Sequence, residues 1–156
     1  FDEKIVVSQH EKIRIIGQEL GFMAVDNPQA QQGKSSSIKI ALKSLPPMEG
    51  YCFLTGDQIL LTDELLGNLL TVFRQNPERI IIPTYKGEWG APTIFPGDLK
   101  DELLKLEGEE GGRKVAENNA GRIMTVEAEP FWQGMDFDTP EEWICVKTLF
   151  EEQKIG

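Results

Sequence analysis

Hydrophobic and polar positions divide this chain into two alternating kinds of segment. Short apolar runs bounded by turn residues are typical of buried strands, and stretches with apolar residues every three or four positions are typical of amphipathic helices. The predicted strands cover residues 4–8, 22–27, 51–58, 79–85, 92–96 and 123–129. The predicted helices cover residues 10–20, 35–45, 62–76, 97–106, 111–118 and 139–154.

This order of elements predicts the fold class. Strands that alternate with helices of this length form crossover units, so we expect an α/β fold of three layers, Rossmann-like, with a mostly parallel sheet and helices on both faces. The 156 residues suit one domain, and we predict a single domain over residues 1–156. Two helix starts are well marked: Thr62 precedes two acids, and Thr139 opens a capping box with Pro140 in the first turn.

Net charge narrows the choice of partners. The chain carries 26 acidic and 16 basic residues, a formal net charge of −10. Such a surface repels phosphate backbones, so we expect no nucleic acid partner, and a small phosphorylated ligand would need a divalent cation. No apolar run reaches the roughly 20 residues of a membrane span, and the first residues do not resemble a signal peptide. We therefore expect no membrane partner and a cytoplasmic location.

Histidine and cysteine contribute little to the candidate chemistry. His10, the only histidine, directly precedes a helical stretch, and we interpret it as a helix-start residue rather than a catalyst. Cys52 and Cys145 lie in a strand pattern and a helix pattern, which indicates buried hydrophobes without zinc spacing. Carboxylates and backbone amides are therefore the remaining candidates for catalytic and binding groups.

Asp57 is the first candidate. In open α/β sheets ligands bind beyond the carboxyl ends of the strands, and residues 54–58, Leu-Thr-Gly-Asp-Gln, end a predicted buried strand. Gly56 allows the backbone to approach a ligand, and the Asp57 carboxylate suits Mg²⁺. The alternative is that Asp57 only stabilises a turn through its own backbone.

Asp136 and Asp138 form a second acidic position, directly before the helix that starts at Thr139. On an extended segment these two carboxylates share one face, with Phe137 on the other, so they could complete a metal site with Asp57. The alternative, which local sequence favours, is that both acids stabilise the positive end of the following helix.

The Gly33-Lys34-Ser35 sequence invites a phosphate-loop interpretation, which we reject. That loop needs a glycine five positions before Gly33, and Pro28 stands there without an amide proton. The serines at 35, 36 and 37 open a helix, where free amides favour an anionic ligand. Simple helix capping explains the serines equally well.

Residues 87–92 combine two glycines, Trp89 and Pro92 in a short connection. Trp89 could cover a flat ring system, or the segment could be a hairpin turn with Trp89 packed down. Local sequence leaves both interpretations open.

Taken in order, five segments of the chain resemble the molybdenum cofactor cytidylyltransferases of the MobA-like nucleotidyltransferase superfamily. The similarity extends over nearly the whole chain. Each motif alone is weak, and the order and spacing of the motifs make the set specific. The similar segments are Asn27-Pro28 with Gly33 and the serines, residues 54–58, residues 90–95 (Gly-Ala-Pro-Thr-Ile-Phe), residues 108–113 and residues 136–142. At Ala91 many members carry histidine.

The resemblance implies a reaction and a set of site residues. CMP would be transferred from CTP to molybdopterin cofactor with release of pyrophosphate, and Mg²⁺ would be held by Asp57 and Asp136, with Asp138. Asp57 and Asp136 would be the catalytic residues. Substrate contacts would come from residues spread over the motifs: Asn27, Gly33, Ser35, Ser36, Ser37, Gly56, Gln58, Gly90 and Pro92.

The chain departs from the family pattern at its start. Members begin with a strand and a glycine-rich loop that grips the triphosphate, whereas this chain starts at what resembles the second strand, residues 5–7. The expectation is an N-terminally truncated domain whose sheet lacks its first strand, with weak or no transferase activity and possible self-association to fill the gap. Two alternatives stay open: a non-catalytic ligand-binding module of the same fold, and a transferase with another acceptor such as a sugar phosphate.

Overall fold

The structure, a computed structural model, describes residues 1–135 and Ile144. Its strands there are β1 (Ile5–Ser8), β2 (Met23–Asp26), β3 (Gly50–Phe53), β4 (Ile80–Tyr85), β5 (Glu88–Trp89), β6 (Thr93–Pro96) and β7 (Ile123–Glu127). Its α-helices are α1 (Glu11–Glu19), α2 (Lys34–Ser44), α3 (Asp63–Gln75), α4 (Lys100–Leu103) and α5 (Gly112–Asn118). Strands and helices alternate as predicted, which confirms the α/β class.

The chain forms two compact units. The first contains Phe1–Tyr51, Asn76–Ile80 and Phe95–Ile123, and the second contains Cys52–Gln75, Ile81–Ile94 and the described residues that follow Ile123. The predicted helix over residues 139–154, and Cys145 with it, lies outside the described residues.

In the first unit, β1 and β2 form a parallel pair joined by α1, with Ile5 opposite Met23 and Ser8 opposite Asp26. This is the predicted crossover, and the parallel pairing is confirmed. Helix α1 approaches the pair closely at Gly17, where a Cβ would collide with the side chain of Val6. His10 is the N-cap of α1 and accepts bonds from the amides of Ile13 and Arg14, which confirms it as a helix-start residue.

The other sheet has five strands, in which β6 lies between β3 and β4, and β5 and β7 also pair with β4. Strand β4 runs antiparallel to β5 and to β6. The strand pattern did not anticipate these two antiparallel pairs. The physical reason is the length of the connections, because a parallel neighbour needs a crossover of about a dozen residues or more.

The β4–β5 hairpin turns on two residues with positive φ, Lys86 at 54° and Gly87 at 83°. Tyr85 pairs with Glu88, and Thr84 pairs with Trp89. Positive φ at both turn residues matches the twist of the flanking strands, which favours Gly at the second position. Of the two interpretations of residues 87–92, the structure has the hairpin, with Trp89 half-buried.

The core of the second unit lies between α3 and the sheet. The predicted apolar stripe of α3 buries Leu65, Leu69 and Phe73 against Ile81 and Ile94. Thr62 caps the helix, because its Oγ1 accepts the amide of Leu65 at 3.2 Å. Periodicity and capping therefore placed this helix correctly from sequence.

Cys52 packs against this core as a small hydrophobe, and burial raises the pKa of its thiol to about 12. The neutral thiol is therefore favoured at and above neutral pH. With Cys145 replaced by serine, we expect Cys52 to react with a disulfide reagent on the order of a thousandfold more slowly in the folded protein than in denaturant. The folded rate should rise with pH up to the raised pKa. Labelling at the denatured rate would contradict the assignment.

Candidate functional site

Asp57 lies in a turn rather than in a strand. Strand β3 ends at Phe53, so the predicted strand over residues 51–58 extended too far, and Gly56 and Asp57 form the turn that follows it. Within this turn the amide of Gln58 donates to the carbonyl of Thr55 at 3.4 Å. The turn is therefore closed by main-chain atoms.

Two side-chain oxygens on consecutive residues of this turn are buried and have no hydrogen-bond partner: Oδ1 of Asp57 and Oε1 of Gln58. Over the described part of the chain they are the two buried side-chain polar atoms in this condition. Leaving a buried acceptor unsatisfied costs about 1–3 kcal/mol, and more when the group is charged. Such atoms in a native fold call for a partner, which for an acceptor oxygen is a cation or a hydrogen-bond donor.

The Gly90–Pro92 segment belongs to the same unit and contacts Gln58. The amide nitrogen Nε2 of Gln58 donates to the carbonyl of Ala91 at 3.3 Å. The amide of Gly90 donates to the carbonyl of Pro83 at 2.9 Å, and the Ala91–Pro92 peptide bond is cis. The structure thus brings together two motifs that were predicted separately, residues 54–58 and residues 90–95, through the contact of Gln58 with Ala91.

Asn27 organises the predicted substrate residues of the first unit. Its side chain is 1% exposed, and Nδ2 donates to Oγ of Ser36 and Oγ of Ser37, both at 2.9 Å. The Ser36 hydroxyl donates in turn to the carbonyl of Gly33 at 2.8 Å. These four residues form one network at the start of α2, which begins at Lys34, one residue earlier than predicted.

The same helix start contacts a distant loop. The amide of Ser35 donates to the carbonyl of Gly108 at 3.1 Å, and a Cβ on Gly33 would collide with that carbonyl. Gly33 has φ 99° and ψ 178°, a conformation that only glycine adopts readily. Gly108 was not predicted as a site residue, because a glycine in an acidic loop carries no local sign of the helix that it contacts.

The predicted site residues thus fall in both units. Asn27, Gly33 and the three serines lie in the first, and Gly56, Asp57, Gln58, Gly90 and Pro92 lie in the second. Asp136 and Asp138 lie outside the described residues. Over residues 1–135 and Ile144, no group of three histidine, cysteine or acidic side chains is placed to hold a metal ion.

A cleft of about 400 Å³ in the first unit contains none of the predicted residues. Its one basic side chain, Arg122, donates to both carboxylate oxygens of Asp98 at 2.9 Å and to the carbonyl of Glu78. The bonds from Arg122 hold the pKa of Asp98 below its usual value. Since the guanidinium is already bound on three sides, this cleft is a poor anion site.

None of the helices that the structure describes could span a lipid bilayer.

The purine catabolism protein PucB of Bacillus subtilis (strain 168) is 26% identical over 121 residues, which are 76% of this chain. This chain spans 58% of the length of that relative.

Two solved structures share the fold. Rv0371c from Mycobacterium tuberculosis H37Rv, solved in complex with manganese, superimposes with a TM-score of 0.71 and 22% identity, covering 93% of this chain and 77% of that one. The 4-diphosphocytidyl-2C-methyl-D-erythritol synthase of Anaerococcus prevotii superimposes with a TM-score of 0.77 and 17% identity, covering 97% and 79%. The sequence pattern of the MobA-like NTP transferase domain matches residues 1–123. Because this match covers well over half of the chain, the protein belongs to the MobA-like NTP transferase domain family.

Proposed function

We propose that this chain is the greater part of a Mg²⁺-dependent nucleotidyltransferase that transfers CMP from CTP to molybdopterin cofactor. An oxygen of the acceptor's terminal phosphate forms a bond to the α-phosphorus of CTP, the bond from that phosphorus to the β-phosphate bridge breaks, and pyrophosphate leaves. The reaction needs positioning and neutralisation of charge rather than a covalent enzyme intermediate. Family membership supports the reaction class.

The observation that carries the proposal is the pair of buried, unpaired oxygens on Asp57 and Gln58. A hard cation prefers oxygen ligands, and Mg²⁺ is usually held by one or two carboxylates together with substrate phosphates. Asp57 fits this role, with Asp136 and Asp138 proposed as the further carboxylates. When bound, the cation would supply neutralisation of the developing phosphate charge.

The remaining proposed contacts are to substrate. Asn27 holds Ser36 and Ser37 at the start of α2, so their side-chain oxygens are arranged before any ligand arrives. Gly33, Ser35, Gly56, Gly90 and Pro92 complete the proposed set. Because the chain has a net charge of −10, it repels a free triphosphate, and the triphosphate would bind together with the cation.

The acceptor is the least constrained part of the proposal. The Anaerococcus protein is a synthase of a diphosphocytidyl compound of methylerythritol, which is not a pterin. A protein of this fold can therefore use a different kind of acceptor. A sugar phosphate is therefore the second candidate. Pyrophosphate release from CTP, measured with each acceptor in turn, separates the two.

Self-association is a further part of the proposal. Among the described strands β1 pairs with β2 alone, so its other edge has main-chain groups that a further strand could satisfy. A second copy of the chain would supply that strand.

The direct test replaces Asp57 with asparagine, which keeps the shape and removes the charge. We expect the affinity for Mn²⁺, measured in the presence of CTP, to fall at least about tenfold, because even residues that only support metal ligands contribute that much. Electron paramagnetic resonance of free Mn²⁺ gives the dissociation constant.

Asp63→Asn is the matched control, since Asp63 is an exposed acid in the first turn of α3. It should leave the dissociation constant within about twofold. Equal affinities in wild type and Asp57→Asn would overturn the metal assignment. Binding of CTP with Mn²⁺ but no pyrophosphate with either acceptor would favour a non-catalytic binding module.

A further inference from the structure

Tyr85 occupies a slot that only two glycines leave open. It is the last residue of β4, and its ring lies where a Cβ on Gly90 or on Gly134 would be. Its hydroxyl donates to the carbonyl of Ala91 at 2.7 Å. Ring and hydroxyl together hold the turn that leads from β5 to β6.

The carbonyl of Ala91 accepts a second bond, from Nε2 of Gln58 at 3.3 Å. Because a carbonyl oxygen only accepts, it must face the NH₂ end of the Gln58 amide. The other end, Oε1, is therefore turned away from Ala91. This is the buried oxygen without a partner, on a side chain that is 9% exposed.

We propose that Tyr85 is a positioning residue that acts through Ala91 on Gln58. By holding the Ala91 carbonyl, Tyr85 keeps the Gln58 amide in the orientation that presents an acceptor oxygen rather than an NH₂ group to the ligand. Tyr85 itself contacts no reacting atom. The inference rests on the proposed function, because it assumes that the ligand is the cation–nucleotide complex that also uses Asp57.

The amide orientation matters because its two ends have opposite chemistry. The oxygen end attracts a cation or a hydrogen-bond donor, whereas the NH₂ end repels both. Without the hydroxyl of residue 85, the Ala91 carbonyl loses the shorter of its two bonds and the turn can shift away from Gln58. The amide then rotates more freely, and part of the population presents the wrong end.

Tyr85→Phe tests the inference, since it keeps the ring between the two glycines and removes only the hydroxyl. We expect the affinity for Mn²⁺ with CTP to fall about threefold to tenfold, the value of one hydrogen bond. Tyr51→Phe is the matched control, because it removes the hydroxyl of the chain's only other tyrosine, which accepts the amide of Met48. The control should bind as wild type does.

A double-mutant cycle separates positioning from a general structural role. In a Gln58→Ala background the Tyr85→Phe change should cost no further affinity, because the group that Tyr85 positions is gone. An equal loss in both backgrounds, or wild-type affinity in Tyr85→Phe, would overturn the inference while the Asp57 result still stands.

A ligand-free readout keeps the inference testable by itself. In nitrogen-15 spectra of the metal-free protein, the side-chain NH₂ signals of Gln58, assigned by their loss in Gln58→Ala, should shift and exchange faster in Tyr85→Phe than in Tyr51→Phe. Unchanged signals would overturn the positioning role. A wild-type chain that binds no Mn²⁺ with CTP would instead overturn the proposed function, whatever the spectra show.

Discussion

Replacement of Gly33 with alanine is expected to lower the free energy of unfolding by about 2–5 kcal/mol. Two effects add. The backbone at Gly33 has φ 99° and ψ 178°, where a side chain is strained by about 1–3 kcal/mol. A Cβ there would also collide with the carbonyl of Gly108, which already accepts the amide of Ser35. Because that acceptor is main chain, it cannot turn aside as a flexible side chain would.

Urea unfolding followed by circular dichroism measures the loss. Gly21→Ala is the matched control, since Gly21 has φ 77° and nothing within 4 Å of the added carbon. It should show backbone strain alone, about 1–2 kcal/mol. If Gly33→Ala is no more costly than Gly21→Ala, the close approach of Gly33 and Gly108 is not a feature of the folded protein.

Truncation of Leu69 to alanine is the other large effect, with an expected loss of about 2–5 kcal/mol in the free energy of unfolding. Leu69 is fully buried on α3 and belongs to the cluster that includes Ile81 and Ile94. Alanine is a good helix former, so the loss comes from the missing contacts and the cavity rather than from the helix.

Leu66→Ala provides the comparison, on the same helix but at a half-buried position outside that cluster. We expect it to cost about 1 kcal/mol. Equal losses at the two positions would mean that α3 does not direct Leu69 into the core. The ratio of the two losses therefore checks the orientation of the helix, and urea midpoints are sufficient to determine it.

Short, regular elements were predictable because their signals are local. The apolar spacing of α3 and the hydroxyl of Thr62 lie within a few residues of each other, and both predictions were confirmed. Strand β5 was not predicted as a strand, because Glu88 and Trp89 are too few to show a period. The predicted strand over residues 51–58 ran past Phe53 because nothing in the apolar run itself marks its end before Gly56.

The sequence identified individual residues of the candidate site, but it did not show which residues lie together. Asp57 was identified by its position after a buried strand, and the structure adds that its Oδ1 is buried without a partner. Tyr85 was not identified, because a tyrosine at a strand end has many ordinary roles. The role that we propose for it depends on Gly90, Gly134 and the Ala91 carbonyl, which are brought to it by the fold.

By itself the sequence determined the alternating elements, the α/β class, the acidic surface and the set of motifs that led to the family. These properties depend on residue type and on spacing within a few turns of chain. Only the tertiary structure decided which motifs meet: Gly33 with Gly108, and Gln58 with Ala91. Such contacts join residues far apart in the chain, and they depend on how strands pair and how closely backbones approach, so no local pattern records them.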